Sequence, residues 1–158
     1  MSDTIIHTQF DGNVLVIETA DGAETFDERF LVAALLIFVA KGSGGIEPEE
    51  SAKMLELLED HFRIPGSEAL ELLTRAIGEM AERPGLGASL ANLAHTLPAR
   101  EQENIALMAL KVIAADGRRE VEEMEQFNRA VEAAGITSDI VHRAYDRYFA
   151  ETMPDTDY

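Results

Sequence analysis

Three carboxylates crowded into one bend are the side chains best spaced to do chemistry. Asp116, Glu120 and Glu123 lie in the run AADGRREVEE, from Ala114 to Glu123. Hard oxygen donors of this kind suit Ca2+, Mg2+ or Mn2+. Glu120 and Glu123 are three apart and share a face if both are helical; Asp116 can fold back over the start of that helix. A plainer reading uses the same atoms. Asp116, just before Gly117, can accept the backbone N–H of Arg118 or Arg119 as an Asx-turn, and those two arginines can neutralise the cluster without an ion. A carboxylate at the C-terminal end of a helix opposes the helix dipole by about 0.3–1 kcal/mol, so the position calls for compensation under either reading. The alternating carboxylates of an EF-hand loop are missing, and the arginines stand where its ligands would be.

A second bend of the same pattern lies earlier in the chain. VAKGSGGIEPEE, Val39 to Glu50, aligns with VIAADGRREVEE, Val112 to Glu123, so that Gly44 falls on Gly117 and Glu50 on Glu123 at one constant offset (117 − 44 = 73; 123 − 50 = 73). Ser43 offers a neutral hydroxyl in this copy, which leaves Glu47 and Glu50 as its charged donors. With one formal charge fewer, it is the weaker place for a cation. Glu47, Glu49 and Glu50 also suit the first turn of a helix, where anions favour the dipole.

Other chemistries find little support. The chain has no cysteine, which removes disulfides, thiolate metal sites and cysteine nucleophiles. His7, His61, His95 and His142 are scattered, and no two have the spacing of a zinc pair on one helix. Protonated His61, near the end of a helix, would favour its dipole. The glycines at 42–45 lack the lysine and the strand-to-helix setting of a phosphate loop. No nucleophile–base set or metal triad stands out, so the chain is expected not to be an enzyme.

The elements that must hold the two bends are helical. The run FLVAALLIFVA, Phe30 to Ala40, is apolar on nearly every face and predicts an enclosed helix from near Phe26 to Lys41. Helix two starts at Pro48, a residue suited to the first helical position, and runs to about Phe62 with Met54, Leu55, Leu57, Leu58 and Phe62 facing inward. Ser67 can cap helix three, which carries Leu70, Leu72, Leu73, Ile77 and Met80 and ends before Pro84. A short fourth helix covers Ala88–Thr96. Helix five, Ala99–Ala115, repeats the apolar character of helix one. Helix six spans about Val121–Ala134 and stops at Gly135. Helix seven, capped by Thr137 or Ser138, runs to about Ala150 with Ile140, Val141, Tyr145 and Phe149 on one side. Ahead of the helices, Ile5, Ile6, Phe10 and Val14–Ile17 around Asp11-Gly12-Asn13 predict a β-hairpin, with a second turn at Asp21-Gly22.

The expected architecture is therefore all-α: two central apolar helices wrapped by about five amphipathic ones, built by internal duplication, with a short N-terminal β-hairpin. Ala33, Ala34 and Ala40 on one central helix and Ala106, Ala109 and Ala114 on the other bring the two axes together. Residues 1–158 form one domain, of which 1–25 is the hairpin extension and 151–158 a fraying tail.

With 30 acidic and 13 basic side chains the formal net charge is −17. Such a surface repels phosphate backbones and attracts cations and basic partner surfaces. Nucleic acid is therefore not an expected partner. Phe30–Ala40 is too short to span a bilayer, which takes roughly 20 residues, and MSDTIIHTQF is not a secretory signal. A cytoplasmic protein is the simplest expectation. Peripheral membrane association and homo-oligomerisation stay open.

The doubled pattern, an apolar helix followed by AKGSGGIEPEE in the first copy and AADGRREVEE in the second, resembles the TerB-like domain of tellurite-resistance proteins over roughly residues 26–150. The second half is the closer match. The first half departs at Ser43, where the family usually places aspartate. The second departs at Arg119, where an apolar residue matching Ile46 is usual. The N-terminal hairpin lies outside the likeness. The resemblance implies an all-helical fold with two central helices. It also implies a link to tellurite and general stress resistance, metal binding by the acidic residues, and a binding or scaffolding role with a protein partner near membranes rather than catalysis.

Overall fold

The computed structural model describes residues 5–11, 14–20, 22–41, 48–83, 85–116 and 121–152. Three strands open the chain: β1 (Ile5–Asp11), β2 (Val14–Thr19) and β3 (Gly22–Asp27), an antiparallel sheet in the order β1-β2-β3. The predicted hairpin is thus extended by a third strand. Phe26, expected as the first residue of helix one, instead lies in β3 opposite Leu15. The next residue, Asp27, sets the real boundary. Its Oδ1 accepts the Phe30 backbone N–H at 3.2 Å, so the aspartate closes the strand and caps the helix that follows.

That helix, α1 (Glu28–Lys41), is buried along almost its whole length from Phe30 to Ala40. It packs on α5 (Ala99–Ile113), the other apolar helix; of the alanines named from sequence, Ala33, Ala34, Ala40, Ala106 and Ala109 are buried, and Ala114 packs against the core from just beyond α5. Around them lie α2 (Pro48–Phe62), α3 (Gly66–Glu82), α4 (Leu86–Ala91), α6 (Val121–Ala133) and α7 (Ser138–Thr152). Among the described residues, seven α-helices and a small N-terminal sheet match the expected architecture.

Several local readings need correction. Ser67 does not cap α3: the helix begins at Gly66, its N-cap is Pro65, and no side chain bonds the cap. The expected helix over Ala88–Thr96 starts earlier, as α4, and breaks into a 3₁₀ turn over Ala94–Thr96. Side chains take up the carbonyls there. Thr96 Oγ1 donates to Leu93 O at 2.6 Å, and buried Gln102 donates to Leu97 O at 2.8 Å and His95 O at 3.2 Å. Helix five gives way after Ile113 to a 3₁₀ turn over Ala114–Asp116. On α3 the buried residues are Ala69, Leu73 and Ala76, while Leu70 (54 % exposed) and Ile77 face solvent. On α7 it is Tyr148 that is buried and Phe149 that is largely exposed.

The duplication reaches further than the two helices that reveal it in sequence. α2 and α6 begin 73 residues apart, at Pro48 and Val121 (121 − 48 = 73). They end in the same motif. Arg63 has φ 54° and Gly135 has φ 76°, and the next residue bonds back into the last turn: Ile64 N–H to Glu59 O at 3.2 Å, Ile136 N–H to Val131 O at 3.0 Å. α2 runs one residue longer before that turn, so the offset drops to 72 (135 − 63 = 72). After it, α3 packs on α1 as α7 packs on α5. The repeat is therefore a three-helix unit, and the two copies bury their apolar helices against each other.

Candidate functional site

The second acidic bend starts from the 3₁₀ turn at the end of α5. The backbone of this turn packs on α2, and Ala114 and Ala115 line an open groove of 420 Å³ with residues of α2 and α7. Lys53 and Lys111, two of the three lysines in the chain, lie in that groove beside Glu56, Asp60 and Glu151. Lys53 Nζ is 2.9 Å from Glu56 Oε1, and Lys111 pairs with Glu151. The groove is thus a mixed-charge surface next to the bend.

Among the six predicted donors, Glu50 is the one whose side chain is described. It lies in the first turn of α2, 3 % exposed, on the same side as Met54, Leu57 and Leu58. A carboxylate removed from water this far needs a partner or a proton. Its repeat mate Glu123 is placed at the matching third position of α6, as the shared offset requires. The Asp116 backbone ends the 3₁₀ turn, but the side chains of Asp116 and Glu123 lie outside the described residues, as do Ser43, Glu47 and Glu120 entirely. Among the described residues no group of three His, Cys, Asp or Glu side chains is arranged to hold a metal ion.

At the opposite ends of the central helices the structure assembles a polar cluster that the sequence reading passed over. Glu28 opens α1 and Glu101 lies in the first turn of α5; they are repeat mates (101 − 28 = 73). They meet across the two repeats, where the Glu28 carboxyl donates to Glu101 when it holds its proton. His61, at the end of α2, donates from Nε2 to Glu101 Oε2 at 2.9 Å, and Asn104 donates to Glu101 Oε1 at 3.1 Å. The imidazole is 23 % exposed and the Glu101 carboxylate 15 %. The hydrogen bond from His61 is the main reason that the Glu101 carboxyl is held down to about 2. The same bond raises His61 above its ordinary 6.5, against the opposing effect of burial. Burial first, and then the bond to Glu101, raise Glu28 above 4.5. The dipole role expected for His61 is compatible with this placement, but its partner is 40 residues away and invisible to local spacing. The one available signal was the pair of glutamates at the constant offset of 73, each ahead of an apolar helix.

A second ionic cluster fastens α7 to α5. Arg143 Nε donates to Glu103 Oε1 at 3.0 Å, and Arg147 Nη1 donates to Glu103 Oε2 at 2.9 Å and Asn104 Oδ1 at 2.8 Å. The hydrogen bond from Arg147 is the main cause holding the Glu103 carboxyl below its ordinary value. In the first repeat Phe30 stands at the Glu103 position (103 − 30 = 73) and Arg75 at that of Arg147 (147 − 75 = 72). There Arg75 lies over the Phe26 ring at 4.5 Å, and Phe26 stacks on Phe30 with centroids 4.2 Å apart. The N-terminal sheet thus occupies, with an aromatic ring, the place that an ion pair fills in the second repeat.

No helix among the described residues is long and apolar enough to cross a membrane. No curated protein and no solved structure matches the chain. A family model described as tellurite resistance protein TerB matches residues 29–146, which runs from the start of α1 into α7 and leaves out the N-terminal sheet. With most of its length matched, the chain belongs to the TerB family.

Proposed function

We propose that the chain is a non-catalytic TerB module that binds a divalent cation at its second acidic bend and docks a protein partner in a tellurite, metal or envelope stress response. The observation that carries this reading is the packing of the 3₁₀ turn ending at Asp116 on α2, the helix whose first turn holds the buried carboxylate of Glu50. One helix of the first repeat thereby carries the buried Glu50 at its start and packs against the bend of the second. The donor set of Asp116, Glu120 and Glu123, with Ser43, Glu47 and Glu50 as the weaker copy, is oxygen only. Such a set fits Ca2+, Mg2+ or Mn2+ rather than the softer metals. The mixed-charge groove beside the bend gives a partner a surface next to the ion.

The test is thermal unfolding in EDTA and then in Ca2+, Mg2+ or Mn2+ at constant ionic strength. Site binding gives a saturable rise in Tm, worth about 2.7 kcal/mol at an ion concentration one hundred times Kd. Asp116→Asn abolishes the rise; Ser43→Ala leaves most of it. If the salts act alike and Asp116→Asn only shifts the baseline, the bends are structural and the module is a metal-independent protein-interaction scaffold.

A further inference from the structure

We infer that Glu28, His61 and Glu101 form a proton-operated clamp between the two repeats: the charged imidazole holds the end of α2 on the start of α5, and loss of its proton releases that contact. The inference does not depend on the acidic bends, which lie at the other ends of the central helices.

Three helices converge at the cluster, and each places its group at the helix end whose dipole favours that group's charge. Glu28 and Glu101 are anions in the first turns of α1 and α5, and His61 is a cation in the last turn of α2, so all three agree with the dipoles of their helices. The two glutamates face each other across the repeat boundary and repel when both are ionised. His61 is the cation beside them, 2.9 Å from Glu101 Oε2. The other groups facing the cluster are Asp27, from the end of β3, and the neutral amide of Asn104 on α5. When the imidazolium proton passes to solvent, Glu28 and Glu101 remain as carboxylates beside a neutral ring. The contact then loses its charge-assisted bond, and the like charges push α1 and α5 apart at their starts.

The pH dependence follows from the directions of the shifts. His61 is raised in the folded state, so its contribution is complete below 6.5 and is lost as pH climbs through the higher folded value. Glu101 is held down, so its contribution is complete above 4.5 and is lost only as pH falls towards about 2. Glu28 is raised, so its ionisation above 4.5 works against the fold, with His61 limiting the damage. The His61–Glu101 contact is therefore at full strength between about 4.5 and 6.5 and opens on the alkaline side.

The experiment uses the whole chain and follows the His61 ring by NMR from pH 5 to 9, together with Tm and amide exchange corrected for intrinsic rate. In the unaltered protein the ring titrates above 6.5. Through the same range Tm declines, and the Ile64 amide, which closes α2 through its bond to Glu59 O, loses at least about tenfold of its protection relative to amides in the middle of α5. Glu101→Gln lowers the titration midpoint by at least about one pH unit. His61→Gln keeps a side-chain hydrogen bond, folds, and removes the alkaline decline. His142→Gln, altered at a ring that is 78 % exposed, leaves the decline in place. A ring midpoint at or below 6.5, or an alkaline decline of equal size in His61→Gln, overturns the clamp. So does Ile64 protection that stays constant while His61 titrates.

Discussion

Phe30→Ala is expected to cost the folded chain about 3–5 kcal/mol, the usual range for deleting a buried aromatic ring. Phe30 is 2 % exposed, sits in the first turn of α1, and stacks on Phe26 of β3, which in turn lies under the Arg75 guanidinium. Its removal leaves a cavity between the sheet, α1 and α3, and strips Phe26 of its stacking partner. At roughly 2–4 °C per kcal/mol for a chain of this size, Tm should fall by about 6–20 °C. Leu70→Ala is the control. Leu70 is an apolar residue on the neighbouring helix α3, but it is solvent-exposed, and its loss should change stability by no more than about 0.5 kcal/mol. A Phe30→Ala cost below about 1 kcal/mol would show that the sheet does not dock on the helices in solution.

Gly135→Ala should be the other strongly destabilising change, by about 2–4 kcal/mol. Two effects add. Gly135 has φ 76°, a left-handed conformation that costs an L-residue roughly 1–2 kcal/mol. A Cβ at this position would also sit 2.9 Å from His95 Cβ, close to the backbone of the 3₁₀ turn that precedes α5, where the neighbour has little room to move. The corresponding turn in the first repeat predicts the opposite sign. Arg63 already carries φ 54° with a full side chain, so Arg63→Gly relieves the strain and should leave stability unchanged or raise it by up to about 1 kcal/mol. Urea unfolding of the two variants side by side checks both. Equal effects of the two substitutions would mean that the two helix ends are not built alike.

The two turns also show how far sequence reasoning can reach. Gly135 is legible as a helix stop because glycine advertises the left-handed conformation. Arg63 takes the same conformation without any residue signal, since the Ile64–Glu59 bond and the packing of α3 impose it. Pro48 and Phe62 bound α2 as expected from local propensity alone. The start of α1 is not legible in the sequence, because Phe26 is equally at home in a strand or an apolar helix. The decision falls to Asp27, whose side chain caps α1 and leaves Phe26 to the sheet. Leu70 and Ile77 show the same limit on α3: apolar type does not choose the face when alanines at 69 and 76 allow a closer approach to α1.

The acidic bends were legible because their donors are neighbours in the chain, and a repeated motif doubles a weak signal. The cluster of Glu28, His61 and Glu101 was not, because its members come from three helices and acquire their properties only where those helices meet. Composition, helical periodicity and the offset of 73 determined by themselves that this chain would fold as duplicated apolar and amphipathic helices. All of these are properties of residues close together in the chain or of a repeated string. Tertiary structure alone decided the third strand, the extension of the repeat to α3 and α7, and the meeting of the two repeat-mate glutamates with a histidine. Those depend on which helix ends approach each other, and burial and charge pairing across that distance have no counterpart in local spacing.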